Sequence, residues 1–186
     1  MKDTKQKILS AATRVWNQNP SAPLKDIAKA AGVSRMTLHR HFDGREALLE
    51  AILEGFMQQI MTVYDQIEAM PEPVMVRMEQ LVRRTLDVVE AHTFLLDVFE
   101  QSGHPQACRD QIEDWEKRFS ILFAQLEQAG WVKPGITVQW AHALVEGVIK
   151  ASHRVRHKPQ ALAMPLSDAV WQAYCAAVFV QQPDKG

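Results

Sequence analysis

An all-α chain, with a small basic head and a larger acidic body, is the fold that the sequence predicts, and three observations predict it. Apolar residues recur at helical spacing from Ile8 to Val180. From Pro71 onward no alternating strand pattern and no hairpin dipeptide interrupts them. Each helical stretch also has its own punctuation: Asn19-Pro20, Gly32, Pro71 and Pro73, Ser102-Gly103-His104-Pro105, and Gly130.

The 186 residues are 47% hydrophobic, enough for a substantial core in one or two domains. No apolar run reaches membrane-spanning length, and the opening MKDTKQKI lacks the apolar segment of a signal peptide, so the expectation is a cytoplasmic protein with no membrane partner. Cys108 and Cys175 both fall inside apolar helical patterns and read as buried thiols rather than a disulfide. The net charge of −1 hides an uneven split. Residues 1–47 hold nine Lys/Arg and four Asp/Glu, a balance of +5, and the remainder holds twelve against eighteen, a balance of −6. A basic head suits a polyanion, whereas an acidic body argues against coating nucleic acid with the whole surface.

In chain order, the first helix starts after Asp3 or Thr4, puts Ile8, Ala11, Ala12, Val15 and Trp16 on one face, and ends before Pro20. Pro23 suits the first position of a second helix, whose Leu24, Ile27, Ala28 and Ala31 make a face small enough for close crossing. Gly32 permits a sharp left-handed exit, Val33 packs back on the turn, and Ser34 is an N-cap. The third helix, Arg35 to Phe42, buries Leu38 and leaves Arg35, Met36, Thr37, His39, Arg40 and His41 for solvent or a partner. Helix, tight turn and a second helix with a basic polar face make the grammar of a helix-turn-helix reader of DNA. Ordinary helical hairpins also use Gly-Val-Ser between helices, and that alternative stands at this point.

Asp43-Gly44-Arg45-Glu46 has the form of a capping box opening a long helix through Leu48, Ile52, Phe56, Ile60 and Tyr64. Beyond Pro73, helices are expected over 72–91, around Phe94 to Phe99, over 106–129, over 137–157 and over 169–180. Between Ala169 and Val180 only Gln172 is polar, and a terminal helix so apolar needs cover on more than one side. A second copy is the simplest cover, giving a two-fold dimer with Gly147, Val170, Tyr174 and Val178 in its interface.

The stretch IAKAAGVSRMTLHRHF, followed by Arg45-Glu46-Ala47-Leu48-Leu49 and an all-helical body, resembles the tetracycline-repressor (TetR) family of bacterial transcriptional regulators. The resemblance covers roughly Lys7 to Leu53 and beyond that rests on length and helical architecture. It implies an N-terminal three-helix DNA-binding head over 1–47, and a long fourth helix linking it to an effector-binding and dimerisation body over 48–186, about nine helices in all. It also implies that Lys25, Arg35 and Met36 reach base edges and that Thr37, His41 and Arg45 contact backbone phosphates. His39 is grouped with the phosphate contacts, although the family usually has tyrosine there. Phe56, Tyr64, Phe94, Trp115, Phe119 and Trp140 are the aromatic positions on the helices that, by resemblance, surround a small-molecule effector.

Catalysis has no support in the sequence: Ser34 is in no Gly-x-Ser-x-Gly setting, and neither a P-loop nor a dinucleotide fingerprint occurs, so no cofactor is expected. His39 and His41, two apart on a helix, point in different directions, and His153 and His157 lie among Arg154, Arg156 and Lys158, which disfavour a cation, so no metal is expected. The expected function is a ligand-responsive repressor that binds a palindromic double-stranded operator as a homodimer. Two alternatives from other classes are a protein-interaction module that uses DNA as localiser and a helical enzyme with a vestigial head.

Overall fold

In the computed structural model, residues 2–102, 108–155 and 163–181 are described. Nine α-helices make up the described residues: α1 (Lys2–Gln18), α2 (Leu24–Ala30), α3 (Arg35–His41), α4 (Gly44–Glu68), α5 (Val74–Ala91), α6 (Phe94–Ser102), α7 (Arg109–Gln128), α8 (Val138–Val155) and α9 (Leu166–Val178). The all-α expectation is met. The expected start of the seventh helix near Gln106 and the His153/His157 pair fall partly outside the described residues. One departure is an isolated antiparallel bridge between Val132 and Phe179, with the Lys133 amide donating to the Val178 carbonyl at 2.9 Å and the Val180 amide to Trp131 at 2.8 Å. Two or three extended residues on each side are too few to leave an alternating pattern in the sequence.

Contacts divide the chain into two compact units, Met1–Gln59 with Ala91–Cys108, and Ile60–Glu90 with Arg109–Gly186. In the first, α1, α2 and α3 close around Ile8, Ala12, Trp16, Ile27, Leu38 and Leu48, all at most 2% exposed. Their spacing along each helix is what lets three short amphipathic helices share one core. Phe56 and Phe94 belong to this unit too: Phe94 lies 5.6 Å from Trp16, and Phe56 packs against His92 and Phe99.

In the second unit, Arg118 of α7 donates to Asp65 at 2.8 Å and lies 3.2 Å from Glu68, while Arg83 of α5 bridges Glu79 and Asp168. Its core includes Tyr64, Met78, Leu86, Phe123, Leu126, Ala141 and Val145. The interface expectation needs correcting here. Val170, Tyr174 and Val178 are 2%, 0% and 0% exposed within the chain itself, one stripe of α9 sealed by intrachain packing that includes the Phe179 ring set edge-on to Tyr174 at 5.5 Å. They need no second copy to cover them. What stays open is the opposite side of α9, at Gln172, Ala173 and Ala176, together with Trp140, Ala143, Gly147 and Ala151 of α8. Both cysteines are free: Cys108 is buried, whereas Cys175 is only half-buried, its thiol pushed up to about 11, chiefly by burial.

Candidate nucleic-acid interface

The turn between α2 and α3 is a Schellman motif. Ala31 ends α2, Gly32 follows at φ +66°, and the Gly32 and Val33 amides fold back onto the Lys29 and Ala28 carbonyls at 3.2 and 3.0 Å. A Cβ on Gly32 would meet nothing within 4 Å, so glycine is required there for its backbone conformation and not for space. Ser34 then caps α3, its Oγ accepting from the Thr37 amide at 3.0 Å and pairing with the Thr37 hydroxyl at 2.9 Å. Leu38 at 1% exposure anchors α3 to the head. Because the helix is held by one face, its other face is free to meet a partner.

Of the residues named from the sequence, that open face carries Arg35, Met36, His39 and Arg40, while Lys25 stands on α2. Lys25, Arg35, His39 and Arg40 are exposed, and Met36 is 83% exposed. Lys25, Arg35 and His39 meet at the rim of one cleft of about 260 Å³, floored by Pro23, Leu24 and Leu38. Two cations and an imidazole over an apolar floor suit a base edge flanked by phosphates. Thr37 and His41 are half-buried, and the Thr37 hydroxyl is already shared with Ser34. Pro23 is the residue before α2, at φ −76° and ψ 157°, rather than its first turn.

Arg45 departs most from its expected setting. Its guanidinium donates to the Ala22 carbonyl at 3.0 Å and to the Pro20 carbonyl, and lies 4.4 Å from the centroid of the Trp16 ring. Trp16 Nε1 donates to the same Ala22 carbonyl at 3.1 Å. Arg45 therefore fastens the α1–α2 turn to the start of α4, using two of the five N–H groups of its fork. Gly44 enters α4 at φ +94°, and no capping hydrogen bond from Asp43 or Glu46 occurs among the described residues. The Arg45 fork fixes where α4 starts but gives no acceptor to the first-turn amides of that helix.

The six aromatic positions are divided between the two units. Phe56 and Phe94 are core of the first unit, while Tyr64 and Phe119 are core of the second. Trp115 is half-buried, its Nε1 donating to His142 Nε2 at 2.8 Å, and the Phe119 ring lies 4.8 Å from the same imidazole. Trp140 is 56% exposed. A groove of about 540 Å³ in the first unit, beside Gln6, Arg14, Gly55 and His92, includes none of the six, nor does a groove of about 980 Å³ in the second unit beside Trp131, Trp171 and Phe179.

A family model described as "Bacterial regulatory proteins, tetR family" matches residues 8–52, the stretch that builds this head. Over that stretch the chain is similar to TetR-family regulators. It is 34% identical over 85 residues to the HTH-type transcriptional repressor LfrR of Mycolicibacterium smegmatis, covering 46% of this chain and 45% of that protein. The chain thus spans about half the length of such curated relatives. A longer alignment, 28% identical over 82% of this chain and 72% of the relative, joins it to the nucleoid occlusion factor SlmA of Marinobacter nauticus. Among solved structures, the ketosteroid transcriptional regulator KstR2 of Mycobacterium tuberculosis shares the fold at TM-score 0.74 and 16% identity, covering 95% of both chains. LfrR of Mycobacterium smegmatis, solved in complex with proflavine, shares it at TM-score 0.71 and 23% identity, covering 97% and 98%. Among the described residues no helix is long and apolar enough to cross a membrane.

The Arg45 fork generates a testable expectation. Arg45→Ala removes both carbonyl contacts and the ring contact, and should destabilise the head by about 1–3 kcal/mol. Arg45→Lys should restore little of this, since a single ammonium lacks the planar fork that reaches both carbonyls. Urea denaturation of the full chain measures it, and an unchanged midpoint for Arg45→Ala would remove the assignment.

Proposed function

We propose that the chain is a dimeric, ligand-responsive repressor whose head, residues 1–47, reads a palindromic operator and whose remaining residues, 48–186, bind an effector and a second copy. The observation that carries this reading is the Ser34-capped α3, held by Leu38, with its Arg35 and His39 and Lys25 of α2 around one cleft and its Met36 exposed. Arg35 can fork onto a guanine, Lys25 can donate to a guanine acceptor, and Met36 can touch a thymine methyl. Thr37, His39 and His41 face phosphates, with Arg45 holding the turn behind them.

Selection of bound duplexes from a random pool tests symmetry, spacing and readout together. A dimer should recover inverted half-sites about one helical turn apart. On the recovered site, Arg35→Ala should cost about 1–3 kcal/mol and relax the preference at one position, with the salt dependence of binding nearly retained. Equal loss on random and recovered duplexes would sink the base-reading role.

Support for the dimer comes from the open small-residue face of α8 and α9, where Ala143, Gly147 and Ala151 let helices approach closely about a two-fold axis. A Cβ on Gly147 would meet nothing within 4 Å in the chain, so Gly147→Leu should fold normally and sediment as a monomer. Val170→Asp should instead unfold the second unit, because it buries an unpaired charge inside the chain. A dimeric Gly147→Leu protein at micromolar concentration would count against this face.

Ligand response is supported by the family and by the proflavine complex of LfrR. A compound that weakens duplex binding must itself be weakened by saturating duplex to the same degree, commonly about 5 to 150-fold. Titration calorimetry with and without duplex reads this, and equal affinities would leave direct competition or an artefact in place of allostery.

A second reading is favoured by the SlmA alignment, which spans more of the chain than that with LfrR: a DNA-localised module in nucleoid occlusion rather than a transcriptional repressor. A reporter promoter carrying the recovered site separates the two. Repression supports the regulator, and site binding without any change in transcription supports the module.

A further inference from the structure

We infer that Asn17 is a positioning residue that joins the DNA-reading head to the first turn of α6, so that occupancy of α3 is transmitted to α6 through α1. The inference rests on the DNA-binding reading of the head. Asn17 is half-buried, one residue before the last of α1. Its Nδ2 donates to the carbonyl of Ala91, the last residue of α5, at 2.8 Å. Its Oδ1 accepts from the amide of Phe94, the first residue of α6, at 3.2 Å, and from the Thr93 hydroxyl at 3.2 Å.

Both backbone groups are ones that a helix terminus leaves without an intrahelical partner. A single carboxamide from α1 therefore caps the end of one helix and the beginning of the next. On the α6 side Thr93 and Phe94 are only 5% and 3% exposed, so neither amide nor hydroxyl has ready access to water if the carboxamide withdraws, whereas the Ala91 bond is exposed. Next to it Trp16 lies against Phe94, giving the join an aromatic half beside its polar half.

The chemistry selects asparagine. Holding Ala91 needs a donor, and holding Phe94 and Thr93 needs an acceptor, both within reach of one short side chain. Aspartate supplies only the acceptor, leucine neither. On its other side α1 is tied to α2, through Arg14 to the Ala30 carbonyl at 3.4 Å and Trp16 to the Ala22 carbonyl, and α2 hands its orientation to α3 through the Gly32 turn. A displacement at the start of α6 cannot leave α1 in place unless both bonds to Asn17 Oδ1 break.

Hydrogen exchange of the full chain, read at amides 94–99 and across α3, with and without a duplex recovered from the random pool, tests the join, and anisotropy measures binding in the same samples. In the unaltered protein, duplex should slow exchange at 94–99 by about fivefold or more, the lower end of ordinary coupling. In Asn17→Leu, duplex should still slow α3 while its effect at 94–99 disappears. Asn17→Asp, and Thr93→Val as the milder change should Asn17→Leu fail to fold, should keep part of it. A merely structural Asn17 would speed exchange at 94–99 in every sample and leave the duplex-induced ratio unchanged, and that result overturns the inference. So does a duplex that binds the unaltered protein by anisotropy without slowing 94–99. Absence of any duplex binding would show in the anisotropy alone, overturning the DNA-binding reading and the inference with it.

Discussion

The indole of Trp16 is the contact on which the head depends. Its Nε1 holds the Ala22 carbonyl, Arg45 covers one side of the ring and Phe94 meets it at 5.6 Å, so the α1–α2 turn, the start of α4 and the start of α6 all take their position from one buried side chain. A large rigid ring with a single donor is suited to this, since it combines a wide apolar contact with one directional bond. The α2–α3 pair is then free to be specified by local chemistry alone. Gly32 sets the exit, Ser34 sets the entry, and Leu38 sets which face turns outward.

That division explains what was legible in the sequence. The reader motif was, because each of its determinants acts within five residues: the Val33 amide returns to Ala28, and the Ser34 hydroxyl serves Thr37. The helix count was legible for the same reason, as periodicity and punctuation are local. The role of Arg45 was not, since its carbonyl partners lie 23 and 25 residues away. Neither was that of Asn17, whose setting in Asn-Gln-Asn before Pro20 looks like an unremarkable polar helix end, and whose partners lie 74 to 77 residues on.

The misjudged faces of α9 have a different origin. An apolar circumference shows that a helix is covered on several sides but not by what, and here chain-internal packing reaches Val170, Tyr174 and Val178 while alanines occupy the side left over. Small residues carry little hydrophobic signal, so the surface suited to close helix approach was the quiet side of the pattern rather than the loud one. Of the aromatic positions, Phe56, Tyr64, Phe94 and Phe119 are buried, as large rings usually are, while Trp140 is exposed.

The short pairing of Trp131–Lys133 with Val178–Val180 has a mechanical meaning for the end of the chain. Helices packed through alanine, valine and glycine present smooth surfaces, and two such rods can slip lengthwise by a turn with modest change in contact area. Backbone hydrogen bonds do not tolerate such slippage: the Lys133 and Val180 amides each find one carbonyl, and a shift of a single residue misaligns both. The bridge acts as a thumbtack on the last helix. It sets the lengthwise register in which Gln172, Ala173 and Ala176 are displayed, so any partner that grips this side meets the same spacing in every molecule.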